Sequence, residues 1–300
     1  MNIMEFPTDI WKYLAQWLND VNRFHLMVTN KEMMKLDLTF NQRYNFHNIF
    51  GLSFYNNFTN IHIAETIMIL NKKSINGNVL EFPNKMSILQ IHRHRFLKGD
   101  IIIPSSVNYL LITDKESSSR SNVVNYIMPD SIKYCYLSDS VDLKKMSNSI
   151  THLIADNIDT GIIPSSVTHF ALRHSGINIP SFITHLAFDY YYVVHKNSIP
   201  QSVKTLKIYT YYDELKDCIP SSITHLIFKD IYCYQIKIPS SVTHLTISKS
   251  SWEKFPKTIT HVSVPHIFEG EIPERINVVR RCKRLKEARF TIKWFEEYWD

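Results

Sequence analysis

Ile219-Pro220-Ser221-Ser222-Ile223-Thr224-His225-Leu226 is one copy of a phrase that returns eleven times between residues 83 and 273. Its anchors are Pro83, Pro104, Pro129, Ser147 in the proline slot, Pro164, Pro180, Pro200, Pro220, Pro239, Pro256 and Pro273, with a mean spacing of 19 residues. Self-similarity at this period predicts a stack of identical supersecondary units, each burying its apolar side against its neighbours. About 19 residues at roughly 3.3 Å each have a contour near 60 Å, which holds a strand, a corner and a short return but no long helix.

Counting from the proline, the residues at +3, +6 and +8 are apolar almost throughout, as in Val167, Phe170 and Leu172 or Ile223, Leu226 and Phe228. The +6/+8 alternation has the period of a strand, and stacked coils place those strands in a parallel sheet, with a core like the L-x-x-L-x-L of leucine-rich repeats. Proline suits the corner that enters the strand because it has no N–H for a ladder, and the serine pair supplies hydroxyls for backbone groups nearby. The +5 and +7 residues are then expected on the open face. The +5 column reads Ile88, Tyr109, Tyr134, His152, His169, His185, Thr205, His225, His244, His261 and Val278, a ladder of imidazoles about 4.8 Å apart. Tyr109, Tyr134 and the six histidines are the candidate substrate-surface residues. The +7 column, with Ile154, Ala171, Ala187, Lys207, Ile227, Thr246 and Ser263, supplies no carboxylate or thiolate to complete a metal site, so no metal is expected.

Residues 1 to 45 lack the repeat and read as short amphipathic helices, with apolar positions Ile10, Leu14, Trp17 and Leu18, then Phe24, Leu26 and Val28. Phe6-Pro7-Thr8-Asp9-Ile10, a helix to Leu18, the polar break Asn19-Asp20, a second helix and Val28-Thr29-Asn30-Lys31 resemble an F-box, with Phe6 in the usual leucine slot and Met33 or Met34 where a tryptophan is expected. The repeat itself resembles the FNIP repeat, a leucine-rich-like unit of amoebae and the giant DNA viruses that infect them. The match runs over about residues 80 to 280, with Ser147 for proline and Lys204-Thr205 for Thr-His as local departures. Together the modules look like a viral F-box and FNIP repeat-containing protein. The expected organisation is an F-box-like module over 1–45, a connecting segment and N-terminal cap over 46–80, a mainly β solenoid of about eleven coils over 81–279 and a C-terminal cap over 280–300.

The resemblance implies a substrate-recognition subunit of a host cullin-RING ubiquitin ligase, whose helices dock on a Skp-type adaptor while the solenoid holds a protein substrate. Phe6, Pro7, Ile10, Leu14, Leu18, Phe24, Leu26 and Val28 are the adaptor-binding candidates. The competing reading is a repeat-built interaction scaffold with no ubiquitin role. The chain has no Gly-rich phosphate loop, His-Glu-x-x-His, Gly-x-Ser-x-Gly or Cys-x-x-Cys motif, so neither an enzyme nor a cofactor is expected. A net charge of +6, spread along the chain, does not point to nucleic acid. Neither a basic, apolar leader nor a run of about 18 apolar residues is present, so a soluble protein of the host cytoplasm is expected, with no membrane partner and the nucleus left open. Cys135, Cys218, Cys233 and Cys282 show no paired short spacing and are expected as reduced thiols.

Overall fold

The computed structural model describes residues 7–29, 33–49, 52–63, 82–93, 99–114, 124–138, 145–156, 158–173, 178–188, 197–209, 218–229, 237–248, 252 and 254–281. The chain divides into two units, Met1–Lys133 with Ser140–Ser147, and Tyr134–Asp139 with Asn148–Asp300.

The first unit opens with two helices, α1 (Thr8–Ala15) and α2 (Asp20–Thr29). After Ala15 the chain tightens into i→i+3 turns, with the Trp17 and Leu18 amides donating to Leu14 and Ala15, so the expected helix to Leu18 changes character before it ends. Asn19 starts α2 by accepting the Asn22 amide on its side chain at 2.9 Å. The strands β1 (Phe40–Asn45), β2 (Phe58–Ile63), β3 (Ile88–Arg93) and β5 (Tyr109–Asp114) lie in that order, all parallel, while β4 (Gly99–Ile102) pairs in parallel with β6 (Val124–Ile127) in a second, two-stranded sheet. A short helix, α3 (Phe46–Ile49), follows β1. Parallel pairing therefore begins at Phe40, inside the segment read as helical. Aromatic side chains drive it: Phe40 and Phe58 stack at 4.8 Å on adjacent strands, and Phe54 and Phe24 pack around them.

The second unit is a parallel β-solenoid. Its strands are β7 (Tyr134–Leu137), β8 (His152–Ala155), β9 (His169–Leu172), β10 (His185–Phe188), β11 (Thr205–Ile208), β12 (His225–Phe228), β13 (His244–Ile247), β14 (His261–Pro265) and β15 (Asn277–Arg281), each paired with the next in sequence. From β7 to β14 corresponding repeat positions face each other, His169 to His185 and Leu186 to Leu206, so the sequence phrase and the strand register are the same alignment there; at β15 the pairing shifts by one, and His261 faces Asn277 in place of Val278.

Each coil enters its strand through a β-turn in which the +3 amide donates to the proline carbonyl, at 3.0 Å for Val167 to Pro164 and 3.2 Å for Ile223 to Pro220. The +3, +6 and +8 side chains are buried: Val167, Phe170 and Leu172 in one coil, Val203, Leu206 and Ile208 in another. The isoleucine before the proline is buried as well in most coils, at Ile163, Ile179, Ile199 and Ile219, and adds a fourth core layer. The second serine links neighbouring coils in two places: Ser166 Oγ donates to the Ile150 carbonyl at 2.8 Å and Ser131 Oγ to the Val107 carbonyl at 2.7 Å. Ser202, Ser222 and Ser241, in the same slot, have buried hydroxyls with no partner.

The expectation that +7 lies on the open face fails over most of the second unit. Tyr136, Ile154, Ala171, Ala187 and Lys207 are buried, and only from Ile227 through Thr246 and Ser263 does the column become half-exposed. The covered stretch includes Ile154, Ala171 and Ala187, and the open one ends in the hydroxyls of Thr246 and Ser263. Lys207, only 3% exposed, sets its ammonium 5.8 Å from the Tyr209 ring, a cation–π arrangement that replaces part of its hydration. The segments read as the end of the N-terminal cap, 64–81, and as the C-terminal cap after Arg281 lie outside the described residues.

Candidate interaction surfaces

Two surfaces stand out, one in each unit. In the first, α1 turns its apolar side outward. Ile10, Tyr13, Leu14 and Trp17 follow helical spacing on one side, all exposed, Trp17 to 77%, and Val21 and Val28 on α2 are exposed too. The opposite side carries Ala15, which is fully buried. Arg23 holds this arrangement: its guanidinium donates to the Ala15, Gln16 and Thr39 carbonyls and lies 3.5 Å from Asp20, whose carboxylate accepts the Gln42 amide at 2.7 Å. One ion pair thus ties α1, α2 and β1 together, leaving the apolar stripe free of structural duty.

Of the adaptor-binding candidates, Pro7, Ile10, Leu14 and Val28 are exposed, and Leu18 and Leu26 are half-buried. Phe24 points inward, its ring 5.7 Å from Phe54 and 6.4 Å from Phe40, so its place is in the joint between helix and sheet. Phe6 lies outside the described residues. Tyr13 and Val21 are exposed too; for Tyr13 the i,i+4 spacing to Trp17 was the available signal.

In the second unit the +5 side chains form the expected column. Ring centroids are 4.6 Å apart for Tyr134 and His152, 4.1 Å for His152 and His169, 3.9 Å for His169 and His185, 4.2 Å for His225 and His244, and 4.3 Å for His244 and His261. Tyr109, the remaining candidate, is half-buried in the first unit. Every histidine Nδ1 sits 2.8–2.9 Å from the hydroxyl of the threonine before it. At one end Asn277 Nδ2 donates to His261 Nε2 at 3.3 Å, which puts the imidazole proton on Nδ1; that N–H donates to Thr260 Oγ1, and the hydroxyl donates to the Thr243 carbonyl at 3.3 Å. The same threonine-to-carbonyl link recurs at Thr184, Thr224 and Thr243.

Burial favours the neutral form of four of these rings. It brings His152 down to about 4 and His169 to about 3, with the neighbouring imidazoles pushing the same way, and lowers His185 and His244 for the same reasons. Because the rings stack face to face, their nitrogens run parallel and do not converge. Among the described residues, no group of three or more His, Cys, Asp or Glu side chains is placed to hold a metal ion.

The second unit thus belongs to the class of parallel β-solenoids built from short repeats. FNIP repeats are found within it: the FNIP Repeat family model matches residues 193–230 and 211–250. Among solved structures, the chain is similar to YopM from Yersinia enterocolitica WA-314, at 12% identity and a TM-score of 0.32, over 76% of this chain; it spans 64% of that protein's length. No curated protein sequence matches it. No helix among the described residues is long and apolar enough to cross a membrane.

Proposed function

We propose that this protein is an adaptor-docking substrate receptor: the N-terminal helices bind a Skp-type adaptor of a cullin-RING ubiquitin ligase, and the histidine-bearing face of the solenoid binds a target protein. The observation that carries the reading is the outward stripe Ile10, Tyr13, Leu14 and Trp17. A helix that served only to close the end of a stack would bury its large apolar side chains, and this helix buries an alanine instead. Four large apolar residues at helical spacing are the form in which a helix fills a hydrophobic groove on a partner. The receptor does no bond chemistry in this account. It raises the local concentration of a captured protein beside the transfer machinery.

The test is co-expression of the full chain with a purified-tag Skp-type adaptor. Stoichiometric co-purification supports the reading, and a well-folded chain that elutes alone contradicts it.

A second reading, a repeat-built interaction scaffold with no ubiquitin role, is favoured by one observation: Phe24 and the Asp20–Arg23 pair fasten the helices onto the first strand as a cap would. In that case the solenoid face alone selects partners.

A further inference from the structure

The +5 ladder is broken once. Between His185 and His225 the column holds Thr205, while the strand pairing runs on without a shift: His185 faces Thr205 and Thr205 faces His225 in consecutive parallel ladders. The backbone spacing is thus that of the rest of the sheet, but one ring is missing. Two strand spacings put the flanking imidazoles about 9.6 Å apart. A single planar ring at the midpoint would lie about 4.8 Å from each, just beyond the 3.9–4.6 Å at which the column's own rings stack, whereas two rings would not fit. His169 covers one face of His185 and His244 one face of His225; among the described residues, no ring stacks on the faces that look into the gap.

The residue before the gap also departs from the threonine that fills its position in the histidine-bearing coils. Threonine stands at Thr168, Thr184, Thr224, Thr243 and Thr260, each with its hydroxyl against the next imidazole, but Lys204 stands here, exposed, with its amide on the Thr184 carbonyl and its carbonyl on the Thr224 amide. The notch therefore combines two imidazole faces, a threonine floor and an exposed lysine beside it.

We infer that the Thr205 notch is a recognition pocket for one aromatic side chain of a partner protein, carried in an extended segment with an acidic residue next to it. The aromatic ring completes the ladder, and the carboxylate meets Lys204. Aromatic side chains are the usual anchors of protein interfaces because they deliver a large contact area with few rotatable bonds. A nucleobase with its phosphate has related chemistry, but a nucleic acid would need positive charge along the column, and between Thr151 and Thr260 the flanking column is threonine apart from Lys204. The inference deepens the reading of the histidine face as the target surface and rests on it.

The test uses the full chain with histidine-selective NMR labelling and three probes: the tripeptide acetyl-Glu-Trp-Glu-amide, the same peptide with leucine for tryptophan, and adenosine monophosphate. The tryptophan peptide is expected to move the His185 and His225 ring resonances while those of His152 and His261 stay in place, and the leucine peptide to move neither. Thr205→His, which fills the notch with the column's own ring, is expected to weaken binding at least tenfold, Thr205→Ala to keep it and Lys204→Glu to weaken it. His185→Ala removes one wall and is expected to abolish binding even should Thr205→His fold poorly. An even shift along all six histidines would overturn the notch and leave the face as the target surface, and no shift at any histidine would overturn both. Unchanged binding in Thr205→His, or tighter binding of the nucleotide than of the peptide, would also overturn the inference.

Discussion

The imidazoles of His169 and His185 lie 3.9 Å apart between centroids with an 11° tilt, on adjacent strands whose residues pair one to one. Such a stack tolerates neutral rings and not two cations. In the unfolded chain each histidine titrates near about 6.5; in the fold His169 is held to about 3 and His152 to about 4. The unfolded state therefore binds more protons between these values, so stability is full above about pH 6.5 and falls as the pH drops from there toward the folded values. Thermal melts from pH 7.5 to 5 should show a steadily decreasing midpoint, and replacing His152, His169 and His185 by asparagine should flatten that profile. A midpoint independent of pH in the unaltered chain would rule the account out.

The core of the solenoid is made of single residues repeated, so removing one leaves a hole that the neighbouring coils cannot fill. Phe170 and Leu226 are fully buried at +6 of their coils. Phe170→Ala and Leu226→Ala should each cost about 3–5 kcal/mol, read from urea denaturation. Losses below about 1 kcal/mol would mean that the +6 layer is not packed as described.

At the N-terminal joint the Asp20 carboxylate is buried and holds both Arg23 and the Gln42 amide. Asp20→Ala leaves the Arg23 guanidinium without its paired carboxylate and the Gln42 amide without its acceptor, and should destabilise the first unit by about 2–4 kcal/mol. Arg23→Met removes three donors to backbone carbonyls and should loosen α1, seen as faster amide exchange over Thr8–Ala15. Protection in α1 equal to that of the unaltered chain would contradict the role given to Arg23.

Cys135 occupies the +6 slot of β7, and burial pushes its thiol up to about 12. Neither Cys135 nor Cys218 is in a disulfide, and both are buried. Both should resist a thiol-directed alkylating reagent at pH 8 in the native protein and react once denaturant opens the solenoid. Rapid native labelling of Cys135, found by mass spectrometry, would place it elsewhere than in the core.

Much of the second unit is legible in the phrase that ends in Thr224-His225-Leu226, because position in the repeat and position in the strand are the same thing. The burial of Val167, Phe170 and Leu172 follows from it, and so does the stacked column. The covered +7 stretch was legible in part: Ile154, Ala171 and Ala187 are apolar where Thr246 and Ser263 are not. Lys207 gave no such sign, since a lysine reads as exposed until the Tyr209 ring beside it is known. The early strands were hidden for another reason. Phe40-Asn-Gln-Arg-Tyr-Asn45 carries neither the proline nor the Thr-His pair, and what recruits it to the ladder is the stacking of Phe40 on Phe58, a contact no local pattern announces. In the helices, spacing located the apolar side of α1 but not its direction; whether Leu14 and Trp17 point inward or outward depends on what Ala15 and Arg23 bind.

That direction is what the account stands on, and calorimetric titration of the full chain with a purified Skp-type adaptor tests it most directly, with Leu14→Asp and Trp17→Asp as comparisons. Both positions are exposed, so neither substitution should lower the melting midpoint by more than about 2 °C, in keeping with the small cost of surface changes. The account predicts micromolar or tighter binding by the unaltered chain and at least a hundredfold loss in each variant. No heat of binding from a well-folded chain, or equal binding by Leu14→Asp and Trp17→Asp, would contradict it.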